Sequence, residues 1–157
     1  MVTREQVYSA LFVQLQTAGT IFKTYTRSWK SAWDDPQQRV ADMPMLILYE
    51  GIMDVMWHNR GIGAIQVWNV KLELYGKIPD GFTSGVPDKK TAGATVLNPL
   101  IDAAFAALAP PAYENYQTLG GVVIDCRIEG AILPVSGDED PSGLCGAIVP
   151  VQLLVNP

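Results

Sequence analysis

Two stretches near the end of the chain decide the fold: Val122-Val-Ile-Asp-Cys-Arg-Ile-Glu-Gly-Ala-Ile-Leu-Pro134 and Ala147-Ile-Val-Pro-Val-Gln-Leu-Leu-Val155. In the first, Val122, Ile124, Cys126, Ile128 and Ile132 alternate with Asp125, Arg127 and Glu129. In the second, Ala147, Val149, Val151, Leu153 and Val155 alternate with Pro150 and Gln152. A period of two with one apolar face is the pattern of a half-buried strand. Folding the two about Gly137-Asp-Glu-Asp-Pro-Ser-Gly143 sets Ile124 opposite Val155, Cys126 opposite Leu153 and Ile132 opposite Ala147, and both apolar sets fall on one face. The same register sets Cys145 opposite Pro134, roughly 26 Å from Cys126 at about 3.3 Å per residue. A disulfide needs Cα atoms within about 7 Å, so both thiols are expected to be free and buried.

Working back toward the start, Thr95 to Leu108 carries Val96, Leu97, Leu100, Ile101, Ala104, Phe105 and Leu108 at helical spacing. Pro99 is read in the first turn and Pro110-Pro111 as the stop. Before it, residues 76–93 hold four glycines and no periodicity and read as a loop of 18 residues, where connections of about 4–6 residues are usual. Ala64 to Tyr75 alternates, with Trp68, Val70, Leu72 and Leu74 on one face and Asn69, Lys71 and Glu73 on the other. Ile52 to His58 reads as a strand, and Met43 to Tyr49 as one covered on both faces, with Pro44 tolerable only at its first residue or an edge. Thr20 to Trp29 has strand composition. At the front, Thr3 with Gln6 forms a capping box, Val2 and Val7 a staple, and Val7, Tyr8, Leu11, Phe12 and Leu15 the buried stripe of a helix of about four turns that Gly19 terminates.

The expected architecture is a single α+β domain over 1–157: a mostly antiparallel sheet, two main helices packed on one face, a long C-terminal β-hairpin, and an acidic turn at 135–144. With 157 residues, 48% of them apolar and 17% charged, the chain can build one core. Its net charge of −5 and pI of 4.7 argue against gripping nucleic acid. Through Lys90 basic and acidic residues number 10 and 9; after it Arg127 stands alone against 7 acids. No apolar run approaches the ~18 residues of a membrane span. The first residues lack a signal-peptide pattern, so a soluble protein made in the cytoplasm is expected.

Chemistry-bearing residues are sparse. His58, the single histidine, follows Asp54 by four residues, but further metal ligands are missing nearby; an exposed histidine at a strand end is the plainer reading. Cys126 sits among aliphatic residues that raise a thiol's pKa, so a core cysteine is favoured over a nucleophile. Asp34 with Asp35, and Asp138 with Glu139 and Asp140, lack calcium-loop spacing. Neither Gly61-Ile-Gly63 nor Gly120-Gly121 extends to a phosphate-binding loop. The expectation is therefore a protein that is not an enzyme and takes no cofactor or metal. Trp29 and Trp33, on an amphipathic stretch, suit an interface, whereas Trp68 suits the core.

Several strings in this order resemble the tail terminator (tail completion, minor tail) proteins of long-tailed bacteriophages, of the lambda U type, over nearly the whole length. They are Thr3-Arg-Glu-Gln-Val7, the Trp29 to Trp33-Asp-Asp stretch leading into Asp42-Met-Pro-Met-Leu-Ile-Leu-Tyr-Glu50, Leu97-Asn-Pro-Leu-Ile-Asp102 with Ala107-Leu-Ala-Pro110, Gln117-Thr-Leu-Gly-Gly121, Cys126-Arg-Ile-Glu-Gly130 and Gly146-Ala-Ile-Val-Pro-Val151. The resemblance implies a virion protein at the head-proximal end of the tail, in the neck. There it assembles as a hexameric ring that stops tube growth and joins the head. Its partners would be further copies of itself, the tail tube protein and the head-tail connector or stopper, with DNA passing through the lumen unbound and no membrane involved. On that reading Trp29, Trp33, Asp34, Asp35, Phe82, Lys89 and Lys90 are candidate interface residues. Asp138, Glu139 and Asp140 form a candidate lumen-facing turn, whose charge would repel DNA. The alternatives are a head-tail stopper, a tail tube subunit, or a small-molecule-binding or hydrolytic domain using Asp54, His58 and the 76–93 loop.

Overall fold

The computed structural model describes residues 2–28, 42–59, 64–79, 89–135 and 143–156, with the backbone alone at 51–59, 64, 89–91 and 135. In chain order the elements are α1 (Arg4–Leu15), a 3-10 turn (Gln16–Ile21), β1 (Thr24–Ser28), β2 (Met45–Asn59), β3 (Ala64–Lys77), α2 (Lys89–Leu108), β4 (Asp125–Ile128), β5 (Leu133–Val135) and β6 (Leu144–Val155). The strands form one mixed sheet in the order β1-β2-β3-β6-β4, with β5 also on β6. The β1–β2 pair is parallel and every other pair antiparallel. This is the expected α+β class, with both helices on one face.

That face carries the core. Leu46 and Leu48 of β2, Trp68, Val70, Leu72 and Leu74 of β3, and alternate residues of β6 meet Val7, Tyr8, Leu11 and Leu15 of α1 and Leu97, Leu100, Ala104 and Leu108 of α2. On the opposite face Met45, Ile47 and Tyr75 form a second buried cluster. The reading of Met43 to Tyr49 as covered on both sides therefore holds, and the peptide bond before Pro44 is cis. The capping box is present: Thr3 N–H donates to Gln6 Oε1 at 2.8 Å and Gln6 N–H to Thr3 Oγ1 at 3.2 Å.

Several expected boundaries move. Helix α1 ends at Leu15, and Gly19, with φ of 75°, lies inside the following 3-10 turn rather than at the helix end. Strand composition from Thr20 onward becomes strand only at Thr24. The strands expected at 43–49 and 52–58 are one strand, β2, whose register against β3 shifts between Tyr49 and Asp54; a bulge lets a strand continue where the periodicity breaks. The expected 76–93 loop is shorter at both ends, since β3 runs to Lys77 and α2 starts at Lys89. Ala92 is buried, and Gly93 packs beside Cys145 and Ile78, so tertiary contact overrides glycine's weak helix propensity. Pro99 consequently lies in the helix interior and not in its first turn.

The C-terminal pairing is correct in its first half. Cys126 faces Leu153 and Ile128 faces Val151, as the alternation requires. Beyond Gly130, which has φ of 117°, the register slips by two: Pro134 faces Ala147, not Cys145, and Ile132 precedes β5 instead of facing Ala147. Ile124 also departs from its expected place. The strand begins one residue later, Val123 is buried, and Ile124 is 40% exposed.

Candidate functional site

Most candidate residues from the sequence fall outside the described residues: Trp29, Trp33, Asp34, Asp35, Phe82, Asp138, Glu139 and Asp140. Lys89 and Lys90 open α2, with their side chains outside the description. Asp54 and His58 occupy β2 positions opposite Asn69 and Ile65. Among the described residues no group of three or more His, Cys, Asp or Glu side chains is arranged to hold a metal ion, and no helix is long and apolar enough to cross a membrane.

The feature that the periodicity did not reveal is a groove beside β4. Its volume is 440 Å³; one wall is the strand Asp125–Ile128, and the other is the end of α2 and the loop after it, with Phe105, Leu108, Pro110 and Tyr116. Phe105, expected in the core from its helical spacing, is 46% exposed here, and Tyr116 is 57% exposed. Large aromatics left in solvent beside a concave wall are the usual composition of a protein contact. The strand wall is also the end of the sheet: among the described residues β4 pairs with β6 alone. Glu129 N–H donates to Pro150 O at 3.2 Å. Antiparallel alternation then turns the N–H and C=O of Arg127 toward β6 and those of Cys126 and Ile128 outward.

Asp125 and Arg127 occupy the sheet face away from the helices, while Cys126 and Ile128 pack toward the core. Arg127 is held by carboxylates on both sides, Asp125 at 3.7 Å and Glu129 more closely. Its Nη2 also donates to Gln152 Oε1 at 3.3 Å, and Gln152 Nε2 donates to Asn69 Oδ1 at 3.5 Å, giving a polar row across β4, β6 and β3. Burial, and to a lesser extent the nearby Asp125 carboxylate, pushes the Cys126 thiol up to about 12. Burial raises Cys145 to about 11, partly offset by a backbone hydrogen bond with Gly76. Both thiols are free, as expected, and at neutral pH both stay protonated and unreactive.

The loop wall is fixed by a buried glutamine. Gln117 Nε2 donates to Ala109 O at 2.9 Å, and its Oε1 accepts from Leu119 N–H at 3.1 Å. This ties the end of α2 to a turn in which Leu119, Gly120 and Gly121 all have positive φ, of 51°, 71° and 87°. The glycines adopt that conformation without a Cβ penalty; Leu119 adopts it at a cost of about 1–2 kcal/mol and buries its side chain in exchange.

At the other end of the sheet, Arg27 of β1 joins α1 to β2. Its guanidinium donates to both carboxylate oxygens of Glu5, at 2.8 and 2.9 Å, to Ser9 Oγ at 3.2 Å, and to the buried Glu50. Those bonds hold the Glu5 carboxyl down at about 2 and raise Arg27 further above its ordinary value. The guanidinium also stands 5.9 Å from the Tyr8 ring centroid. This cluster is satisfied internally and reads as a structural lock.

No protein-family model matches the chain, and no curated protein matches its sequence. Among solved structures, one similar in shape is a chain of the "Virion of native gene transfer agent (GTA) particle". The TM-score is 0.52 and the identity 13%, covering 95% of this chain and 93% of that one. At that identity the likeness establishes a shared fold along essentially the whole length.

Proposed function

We propose that this chain is a structural protein of a phage-like particle, with a mechanical and not a catalytic role. Its place is the head-proximal end of the tail, where a ring of copies ends tube growth and seats the connector. The observation that carries this reading is the fold shared end to end with a chain of a gene transfer agent virion. The order of sequence strings that resembles the tail terminators agrees with it. So does the described surface, which offers a sheet edge with exposed aromatics beside it.

In this role the chain needs two different patches that meet on identical neighbours. Such a contact closes into a ring if the rotation between copies divides a full turn. The finer assignments are a hexamer, contact with the tube protein on one side and the connector on the other, and a virion location. The acidic turn Asp138, Glu139 and Asp140 would face passing DNA and keep it from sticking. Neutralising all three should leave ring formation intact; lost assembly would give the turn to an interface instead.

The test is immunogold electron microscopy of the tagged protein on purified particles and on capsid-free tails. A single focus at the head-tail junction and at one end of free tails is the expected result. Label along the tube would make the chain a tube subunit. No label, with the tag accessible, would return the function to a ligand-binding or hydrolytic domain at Asp54 and His58.

A further inference from the structure

We propose that the two ends of the sheet join between copies of this chain: β4 of one copy pairs antiparallel with β1 of the next. The sheet then continues through the assembly with every helix layer on the same side. This deepens the ring reading above and rests on it for the kind of assembly.

The backbone supplies the first observation. Among the described residues β1 pairs with β2 alone and β4 with β6 alone. Thr24 N–H donates to Pro44 O at 3.2 Å, and Thr24, Thr26 and Ser28 stand opposite Met45, Ile47 and Tyr49 in the parallel pair. Alternate residues of a strand direct their backbone groups to the same neighbour. Those three therefore turn toward β2, and the N–H and C=O of Tyr25 and Arg27 turn outward. At the other end the outward groups are those of Cys126 and Ile128. One antiparallel register, Cys126 opposite Arg27 and Ile128 opposite Tyr25, engages all four residues.

The second observation is the face on which these side chains lie. Tyr25 pairs with Leu46 and Arg27 with Leu48, both core-facing. Tyr25 packs against the core, and Arg27 bonds to Glu5 and Ser9 of α1. Cys126 and Ile128 point to the same helix side. Residues that exchange hydrogen bonds across an antiparallel pair share a face, so this register sets the helices of both copies on one side. The other parity would set them on opposite sides, which the repeated rotation of a ring does not allow.

The third is direction. Strand β1 runs with β2, and β2, β3, β6 and β4 alternate, so β4 runs opposite to β1. A rotation that keeps the strand order and the helix side also keeps strand direction, and the junction is antiparallel, as the register requires. Pairing β4 with β4 of a second copy stops at two copies and leaves β1 unused. Joining β4 to β1 engages both ends of every copy, the heterologous contact that closes a ring. Phe105 and Tyr116, exposed beside β4, lie where the next copy's α1 arrives with its β1.

The experiment uses the full chain. Sedimentation velocity over a concentration series reaching about 1 mM is paired with hydrogen exchange at the amides of Tyr25, Arg27, Cys126 and Ile128. The wild type is expected to associate beyond a dimer, with all four amides slowing as it does. Ile128→Pro removes an outward donor of β4, and Tyr25→Pro one of β1; each alone should raise the concentration needed about tenfold. Mixed, the two variants should form a one-to-one pair, since one keeps β1 and the other β4. A monomer at every concentration overturns the proposal, as does slowing confined to Cys126 and Ile128, the mark of a two-fold β4 contact. Folded variants that do not pair when mixed overturn it too; should either fail to fold, the four wild-type amides decide. None of these results moves the gold label on the tail, so the location of the protein is judged separately.

Discussion

Gly76 of β3 lies directly against Val96 of α2: a methyl group built on the glycine would stand 2.4 Å from Val96 Cγ1 and 3.5 Å from both Cys145 Sγ and Leu100 Cδ1. The absence of a side chain is what lets the helix approach the sheet. Gly76→Ala should therefore destabilise the fold by about 1–3 kcal/mol, the usual cost of overpacking. Chemical denaturation measures it, and Val96→Ala in the same chain should recover part of the loss.

Gln117 has both ends of its amide bonded while the side chain is buried. Gln117→Ala leaves the buried Leu119 N–H without its acceptor, at a cost of about 1–3 kcal/mol. Gln117→Glu keeps an acceptor for Leu119 but cannot donate to Ala109 O, so its loss should be of a different kind. Amide exchange at Leu119 distinguishes the two: fast in the alanine variant, near wild type in the glutamate variant.

Acid should loosen the α1–β1 junction. With the Glu5 carboxyl held at about 2 when folded, against 4.5 as its ordinary value, the Arg27 pairing contributes above pH 4.5 and fades as pH falls toward 2. Melting temperatures at pH 7, 4 and 3 should fall more steeply for the wild type than for Glu5→Gln. Because Glu5 is exposed, added salt should shrink the difference.

The thiols set an alkaline limit. Folded Cys126 and Cys145 hold their protons to about 12 and 11, whereas the unfolded thiols ionise near 9. The unfolded state loses protons first, so stability should decline as pH rises from 9 toward 12. Cys126→Ala should flatten that decline, and a thiol reagent at pH 8 should label the native chain only at its unfolding rate.

The sheet and its core-facing residues were legible because two-residue alternation in β3 and β6 and 3.6-residue spacing in α1 follow directly from burial on one side. Legibility failed where geometry breaks the period. The β2 register shift between Tyr49 and Asp54 made one strand read as two, and the conformation at Gly130 moved β5 by two residues. The groove was illegible for another reason. Phe105 keeps helical phase with Ile101 and Leu108, and nothing local distinguishes an aromatic on the core side of a stripe from one just past its margin. The candidates Trp29, Trp33 and Asp138 lie outside the described residues, so residue type alone still speaks for them.

One consequence follows from the position of β6. Residues 144–155 lie between β3 on one side and β4 with β5 on the other, so until they are synthesised those strands have no common partner. The nascent chain can form α1 and the antiparallel β2–β3 pair early, but it holds β3 with one edge of unpaired backbone N–H and C=O groups while the ribosome completes the rest. Slowing translation just upstream of codon 144 should therefore lengthen the window in which chaperones must shield β3.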